Sequence, residues 1–209
     1  MAQRLVPRDR TSAWSPEAIE RRARPDGAVA LGDLADYCGR RSADAADASP
    51  LAVGMTVRQI KFLAYDGRIP DAADQMPRLT TVLRARYGID LSDVDSLLRL
   101  DDPPAVLVAT AYFAGLTACI VDEEPLRGAA LFRVAARSAD LHHRSFGRYF
   151  DPEVARFAME SLGELAALLA PTDAPGARRA LKDLDAVADR AGDRSFADRY
   201  HARVDPILA

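Results

Sequence analysis

Cysteine, lysine and aromatic residues are all scarce in this chain of 209 residues, and each scarcity is informative. The two cysteines, Cys38 and Cys119, lie far apart and form no CxxC pair, which argues against a disulfide framework and a structural zinc site. Aromatic residues make up 7% of the chain, so we expect a mainly aliphatic core. Only Lys61 and Lys182 are lysines, so the basic residues are almost all arginines.

The overall composition is that of a folded globular protein. Hydrophobic residues make up 49% of the chain and the formal net charge is -3, and both values argue against intrinsic disorder. The length suits one domain or two small ones. The first residues carry charge but no apolar stretch of the kind found in a secretory signal, so we expect a cytoplasmic protein with reduced cysteines.

One uncharged run, residues 103–121, raises the question of a membrane span because it is just long enough to cross a bilayer. Its flanks are acidic at both ends, and it lacks the one-sided belt of basic residues that orients membrane helices. It also contains Thr110, Gly115 and Thr117. We therefore predict a helix that is buried among other helices, and no membrane association.

Helix signals dominate the remaining sequence, and no run of residues alternates between apolar and polar as a half-exposed strand would. The small-residue stretch 42–55 is predicted as a loop. Thr56, Ser92 and Asp151 are predicted as helix N-caps. Capping residues, prolines and glycines divide the chain into predicted helices at 16–24, 31–41, 56–65, 78–87, 93–100, 104–121, 126–146, 152–170, 176–191 and 194–204.

These elements predict an all-α protein in three parts. Residues 1–27 form an N-terminal arm with a short helix, residues 28–90 form a small helix-turn-helix-like module, and residues 91–209 form an antiparallel helical bundle. Residues 1–90 carry a small excess of basic side chains, whereas the remainder is acidic. This asymmetry is compatible with an N-terminal part that binds nucleic acid.

Two segments of the N-terminal part form the most specific pattern in the sequence. The first, residues 31–39, is a predicted helix that ends at Gly39, a residue suited to a helix-terminating turn. The second, residues 56–70, is a predicted helix with polar and basic residues beside its apolar stripe. The apolar positions at helical spacing are Leu31, Leu34, Ala35 and Cys38 in the first segment and Val57, Ile60, Leu63 and Ala64 in the second.

These segments resemble the winged helix-turn-helix of the MerR and phage-excisionase families. Residues 31–39 resemble the L-x-E-x-A-x-x-x-G pattern of the first helix, with Asp33 in place of the glutamate. Residues 56–70 (TVRQIKFLAYDGRIP) resemble the second helix and the start of the wing. The resemblance implies a second helix that lies in the DNA major groove and a following segment that forms the wing.

The resemblance leads us to expect a DNA-binding transcriptional regulator that forms a homodimer. Arginine and glutamine make bidentate contacts to bases, whereas lysine and arginine neutralise phosphates. The bundle would dimerise or bind a small-molecule effector in a pocket built from the predicted helices 104–121, 126–146 and 152–170. No cofactor and no metal are expected. The residues predicted to contact double-stranded DNA are Arg58, Gln59, Lys61, Tyr65 and Arg68, and Arg40 and Arg41 would extend the phosphate-binding surface.

Residues suited to catalysis or metal binding occur only in isolated pairs. His142 and His143 point about 100° apart around a helix, which suits a shared metal poorly. Glu160 and Glu164 lack the Glu-x-x-His pairs that a dimetal bundle uses. The spacing of Arg137 and His142 resembles the Arg-x4-His motif of HEPN-type helical ribonucleases, which act on an RNA phosphate. With three histidines and 26 arginines, however, such a spacing is expected by chance.

Two alternatives to DNA binding remain open. The chain is then either a non-enzymatic helical module that binds a protein or a small molecule without DNA affinity, or a helical enzyme that uses His142. No P-loop, G-x-G-x-x-G or G-x-S-x-G motif indicates a reaction class for the enzyme alternative. A measurement of DNA affinity distinguishes the regulator from both alternatives.

Overall fold

The computed structural model describes residues 30–146 and 151–209, and within these ranges the regular secondary structure is helical, without a strand. This confirms the predicted all-α fold with helices packed in antiparallel pairs. The predicted helix at 16–24, and with it the N-terminal arm of residues 1–27, lies outside the described residues. The helices form two compact units, unit 1 up to Ile89 and unit 2 from Asp90 onward.

The helices of each unit follow one another with short connections. Unit 1 contains α1 (Leu31–Ala43), α2 (Pro50–Tyr65), α3 (Ile69–Asp74) and α4 (Met76–Tyr87). Unit 2 contains α5 (Val94–Leu98), α6 (Val106–Ile120), α7 (Pro125–Phe146), α8 (Pro152–Leu169), α9 (Ala174–Ala191) and α10 (Ser195–Leu208).

The connection between α1 and α2 is much shorter than the predicted loop at 42–55. Helix α2 begins at Pro50, because the Ser49 side chain accepts a hydrogen bond from the Ala52 N–H at 3.0 Å and proline fits the first helical turn. Thr56 is therefore not an N-cap. It is fully buried inside α2, where its hydroxyl donates to the Ala52 carbonyl at 2.8 Å and lies 2.6 Å from the Ser42 hydroxyl.

The segment after α2 also differs from the expectation. Gly67 adopts a φ of 77°, in the left-handed region that glycine enters without steric cost, and it ends α2 close to the predicted position. The next residues form the short helix α3, whereas the resemblance implied a wing there, and α4 agrees with the helix predicted at 78–87. Pro70 stands in the first turn of α3 and Pro77 in the first turn of α4, where a proline does not interrupt helical hydrogen bonds.

Helix α2 forms the centre of unit 1 because α1, α3 and α4 all pack against it. Its buried residues therefore cover most of its circumference rather than one stripe. A helix surrounded in this way presents little side-chain surface to a partner. The fully buried side chains include Ala35 of α1, Val53, Ile60 and Phe62 of α2, and Leu79, Val82 and Leu83 of α4.

The core of unit 2 contains an aromatic cluster supplied by α6, α7 and α8. The ring centroids of Tyr112 and Phe157 lie 5.5 Å apart, and those of Phe113 and Phe157 lie 5.3 Å apart in an edge-on arrangement. Phe132 joins the cluster from α7, 6.0 Å from Tyr112. Such edge-on and tilted arrangements are the favoured geometries of aromatic pairs. Although the chain contains few aromatic residues, four of them are concentrated in this part of the unit 2 core.

Two helix boundaries in unit 2 differ from the predictions. Asp93, not Ser92, caps α5, because its carboxylate accepts a hydrogen bond from the Ser96 N–H at 3.1 Å. Helix α10 does not end before Pro206 but continues to Leu208. The Arg178 guanidinium of α9 donates to the Leu208 carbonyl at 2.7 Å, which holds this last turn in place.

The uncharged run identified in the sequence forms α6 and its flanks. This helix is buried on nearly all sides, as the sequence predicted. Across residues 30–146 and 151–209, no helix combines the length and the apolar character that a membrane crossing requires.

Helices α8 and α10 meet at Gly163, where the ring of Tyr200 lies directly on the α8 backbone. A Cβ atom at position 163 would lie 2.2 Å from the Tyr200 ring, far inside van der Waals contact. Because Tyr200 is itself buried, the ring has no free space into which it can turn. The close approach of these two helices therefore requires glycine at this position.

Substitution of Gly163→Ala is expected to lower the free energy of unfolding by about 1–3 kcal/mol through overpacking. The measurement is urea unfolding followed by circular dichroism. The control is Gly32→Ala in α1, where the nearest atoms lie 3.5 Å from the added Cβ and no loss of stability is expected. Equal effects of the two substitutions would show that Tyr200 does not pack on Gly163.

Candidate ligand-binding groove

The residues predicted to contact DNA do not share one exposed face of α2. Lys61 was expected to be exposed, but it is 2% exposed. Its ammonium group lies 5.7 Å from the centroid of the Tyr65 ring, within the range of a cation–π contact. The prediction that Lys61 is exposed is therefore wrong, because the other helices of unit 1 enclose α2.

The two neighbouring polar residues of α2 are also engaged within unit 1. Gln59 packs on α1 at Gly39, where an added Cβ would lie 2.6 Å from the Gln59 amide nitrogen. Arg58 donates a hydrogen bond to the Gly54 carbonyl at 3.3 Å and is half-buried. Arg58, Lys61 and Tyr65 share one side of the helix by their spacing, whereas Gln59 lies toward α1. The contribution of these four residues to DNA binding stays a prediction.

The remaining predicted contact residues are exposed. Arg40 and Arg41 occupy the last turn of α1, where basic side chains also interact favourably with the helix dipole. Arg68 follows α2 and pairs with Asp71 at 2.5 Å. The acidic residues of α3 therefore lie beside the segment that was expected to approach DNA.

Cys38 of α1 lies in the same packed interior. Burial raises the pKa of its thiol to about 12, although the nearby Arg58 guanidinium acts in the opposite direction. A thiol with so high a pKa carries almost no thiolate at neutral pH. Cys38 is therefore a buried, protonated thiol of the unit 1 core, in keeping with its place in the apolar stripe of the predicted first helix.

A groove of about 620 Å³ lies in unit 2, between α7 and α9 and above α8. Its volume falls in the range of sites that bind small molecules or peptide side chains. Its floor is apolar and is formed mainly by Leu162, Leu165 and Leu169, which follow one another along α8 at helical spacing. Ala136 of α7 and Val187 of α9 extend the apolar surface on the two sides.

Arginines line both walls of this groove, which we call the arginine groove. The lining contains five guanidinium groups and three carboxylates, so its net charge is positive. The basic residues are Arg133, Arg137 and Arg144 of α7 and Arg179 and Arg190 of α9, and the acidic residues are Asp140, Asp173 and Asp183.

Most of the arginines in the groove have no ionic partner within the described part of the chain. Arg144 pairs with Asp140 at 2.6 Å, and Asp173 caps α9 by accepting from the Gly176 N–H at 3.0 Å. The other four arginines make no hydrogen bond or ion pair with any residue in the part of the chain that the structure describes. The groove therefore combines an apolar floor with guanidinium groups that are available to an anion.

The sequence predicted a ligand pocket in the bundle, but from partly different helices. Helix α6 was expected to line it, yet this helix lies in the core around the aromatic cluster. Helix α9 supplies the second wall instead. The spacing of Arg133 and Arg137 places them on one side of α7, but the sequence contains no signal that α9 would lie opposite them.

Of the two glutamates that were considered for metal binding, Glu164 serves the contact between α8 and α10, whereas Glu160 forms its ion pair within α8. Glu164 accepts a hydrogen bond from the Tyr200 hydroxyl at 2.8 Å and pairs with Arg203 at 3.2 Å. Glu160 is buried and pairs with Arg156 at 3.2 Å. Burial, and then the Glu164 charge, raise the pKa of Tyr200. Within the described ranges, no group of three His, Cys, Asp or Glu side chains is arranged to hold a metal.

A second cavity, of about 380 Å³, lies between α9 and α10 and contains a histidine held by two carboxylates. The His201 Nδ1 lies 3.0 Å from Asp205, and its Nε2 lies 3.2 Å from Asp185. Asp185 also accepts a hydrogen bond from Arg194 at 2.7 Å. Partial burial lowers the pKa of His201, but the hydrogen bonds and charges of Asp205 and Asp185 outweigh it and raise the pKa above its ordinary value of 6.5.

The raised pKa of His201 predicts a stability that falls as the pH rises. Protonated His201 binds both carboxylates, so its contribution is complete below pH 6.5 and is lost as the pH passes the higher folded-state pKa. The measurement is the unfolding midpoint in urea from pH 5 to pH 9. We expect His201→Gln to remove this part of the pH dependence.

The matched control for this experiment is His142→Gln on α7, a histidine outside the cluster. This control is expected to retain the pH dependence of the original protein. An unchanged pH profile in the His201→Gln protein would contradict the assignment to His201.

Comparisons with known protein families, curated proteins and solved structures find no match to this chain. The arginine groove is the feature of the described residues whose shape and charge together define a class of ligand.

Proposed function

We propose that this chain is a binding protein whose arginine groove takes an amphipathic anion, a ligand with an apolar body and acidic groups. The observation that carries the proposal is the combination in one groove of a leucine floor and four arginines that have no hydrogen-bond or ion-pair partner among residues 30–146 and 151–209. The proposal agrees with the effector-binding function expected for the bundle and with the alternative of a binding module without DNA affinity.

The two parts of the groove have different energetic roles. Covering the floor removes apolar surface from water, chiefly at Leu169 and Ala136, because Leu162 and Leu165 are each already only 6% exposed. The arginines select for anions and orient them, since a guanidinium forms two parallel hydrogen bonds with a carboxylate or a sulfonate. A neutral apolar ligand leaves the arginines without partners, and a hydrophilic anion leaves the floor uncovered. A ligand that combines both properties therefore binds best.

The dye anilinonaphthalene sulfonate is a suitable first probe because it combines an aromatic body with one negative charge. We expect it to bind and to fluoresce in the presence of the folded protein. The double variant Arg133→Gln/Arg179→Gln, with one change on each wall, is expected to weaken the affinity about three- to tenfold. The measurement is a fluorescence titration, repeated at high salt to screen the charges.

The matched control changes one basic residue on each of the same two helices outside the groove. Arg127 of α7 pairs with Glu124, and Lys182 of α9 faces the second cavity. The variant Arg127→Gln/Lys182→Gln has the same charge as the groove variant and is expected to bind the dye with unchanged affinity. Equal loss of affinity in both variants would contradict binding in the groove.

Duplex-DNA binding by unit 1 stays the competing prediction. Its support is the exposure of Arg40, Arg41 and Arg68, and the burial of Lys61 weighs against it. The test is fluorescence anisotropy with pooled genomic DNA fragments across a range of salt concentrations. If unit 1 binds DNA, the double variant Arg40→Gln/Arg41→Gln is expected to lower the salt slope by about two.

The control for this test is Arg84→Gln/Arg86→Gln, which removes two exposed charges from the end of α4 in the same unit. This control is expected to bind DNA like the original protein. Absence of binding at low salt would rule out the DNA prediction and leave the groove proposal in place. Homodimer formation is a separate prediction, which the sedimentation of the free protein tests.

A further inference from the structure

We infer that the natural occupant of the arginine groove is an acidic amphipathic helix of a partner protein. This inference rests on the function proposed above and identifies the ligand by its chemistry. Three features of the groove support it: its length, the arrangement of its floor, and the placement of positive charge on both of its long sides.

The length of the groove matches a short helix. Arg133 and Arg144 are eleven residues apart on α7, and Arg179 and Arg190 are eleven residues apart on α9. At 1.5 Å per residue, each wall presents guanidinium groups over about 16 Å, which equals about three helical turns. A compact organic acid would contact only part of this length.

The floor has the form that helix packing requires. Helices α7 and α9 both lie antiparallel to α8, so the groove above α8 runs along the axes of three helices. A further helix laid in it would contact Leu169, which is partly exposed, and the small exposed edges of Leu162 and Leu165, which are each 6% exposed. Leucines at a spacing of three and four residues are the surface into which the ridges of another helix fit.

The positive charges lie where such a helix carries its flanking residues. A helix that buries an apolar stripe on α8 directs the residues beside that stripe toward α7 on one side and toward α9 on the other. Both walls carry arginines without partners in the described residues, so acidic residues on both flanks would find guanidinium groups. Asp140 and Asp183 stand among these arginines and would repel an uninterrupted acidic run.

The test uses a synthetic peptide of about 14 residues, long enough for the three turns of the groove. It has leucines at a repeating three- and four-residue spacing, glutamates on both flanks, and a fluorophore at one end. A second peptide has the same composition, but its leucines are distributed around the helix. Binding is measured by fluorescence anisotropy, helix formation by circular dichroism, and competition by displacement of anilinonaphthalene sulfonate.

We expect the patterned peptide to bind at least tenfold more tightly than the scrambled one, to gain helicity on binding and to displace the dye. Arg133→Gln/Arg179→Gln is expected to weaken peptide binding about tenfold, whereas Arg127→Gln/Lys182→Gln leaves it unchanged. Thermal melts of both variants confirm that they are folded before affinities are compared.

The outcomes separate this inference from the function on which it rests. If the dye binds the groove but the two peptides bind equally weakly, the helical ligand is wrong and anion binding stands. If neither the dye nor the peptides bind, both proposals are wrong. Binding that is insensitive to the groove variant overturns the inference. A duplex DNA that occupies the groove more tightly than the patterned peptide also overturns it.

Discussion

The packing of α8 is the constraint on which the rest of unit 2 depends. Helices α6, α7, α9 and α10 all contact it, so α8 has to match several neighbours at once. On one side Gly163 allows the Tyr200 ring of α10 to lie against its backbone. On another side of the helix, Leu162 and Leu165 form the floor of the arginine groove. The groove therefore rests on a helix that is held from behind, which gives a ligand a rigid surface to bind.

Charged residues have one role where α8, α9 and α10 pack together and a different role in the arginine groove. Between α8, α9 and α10 they are paired: Glu164 with Tyr200 and Arg203, and Asp185 with His201. In the groove most of the arginines have no partner among the described residues. In unit 1, the sequence suggested that α2 presents its polar and basic residues to DNA. The structure instead encloses α2 between α1, α3 and α4.

Much of the fold was predictable because it depends on short-range signals. The Asp151 N-cap of α8 and the helix end at Gly88 came from residues whose effect is local. The loop at 42–55 was wrong for a physical reason. Its small residues read as a flexible connection, but Ala52 and Gly54 belong to α2, whose start is marked by Ser49 and Pro50. The Ser49 and Pro50 pair is itself a local start signal, but the small residues around it are equally typical of a turn.

The sequence alone determined the helical class, most helix positions and the burial of the uncharged run at 103–121, because periodicity and capping act within a few residues. Only the tertiary structure decided which polar residues are accessible. Lys61 has the spacing of an exposed residue, yet the surrounding helices bury it. The arginine groove exists because α7 and α9 lie on either side of α8. Which side chains face each other across a groove depends on contacts distant in sequence, and a periodic pattern within one helix carries no information about them.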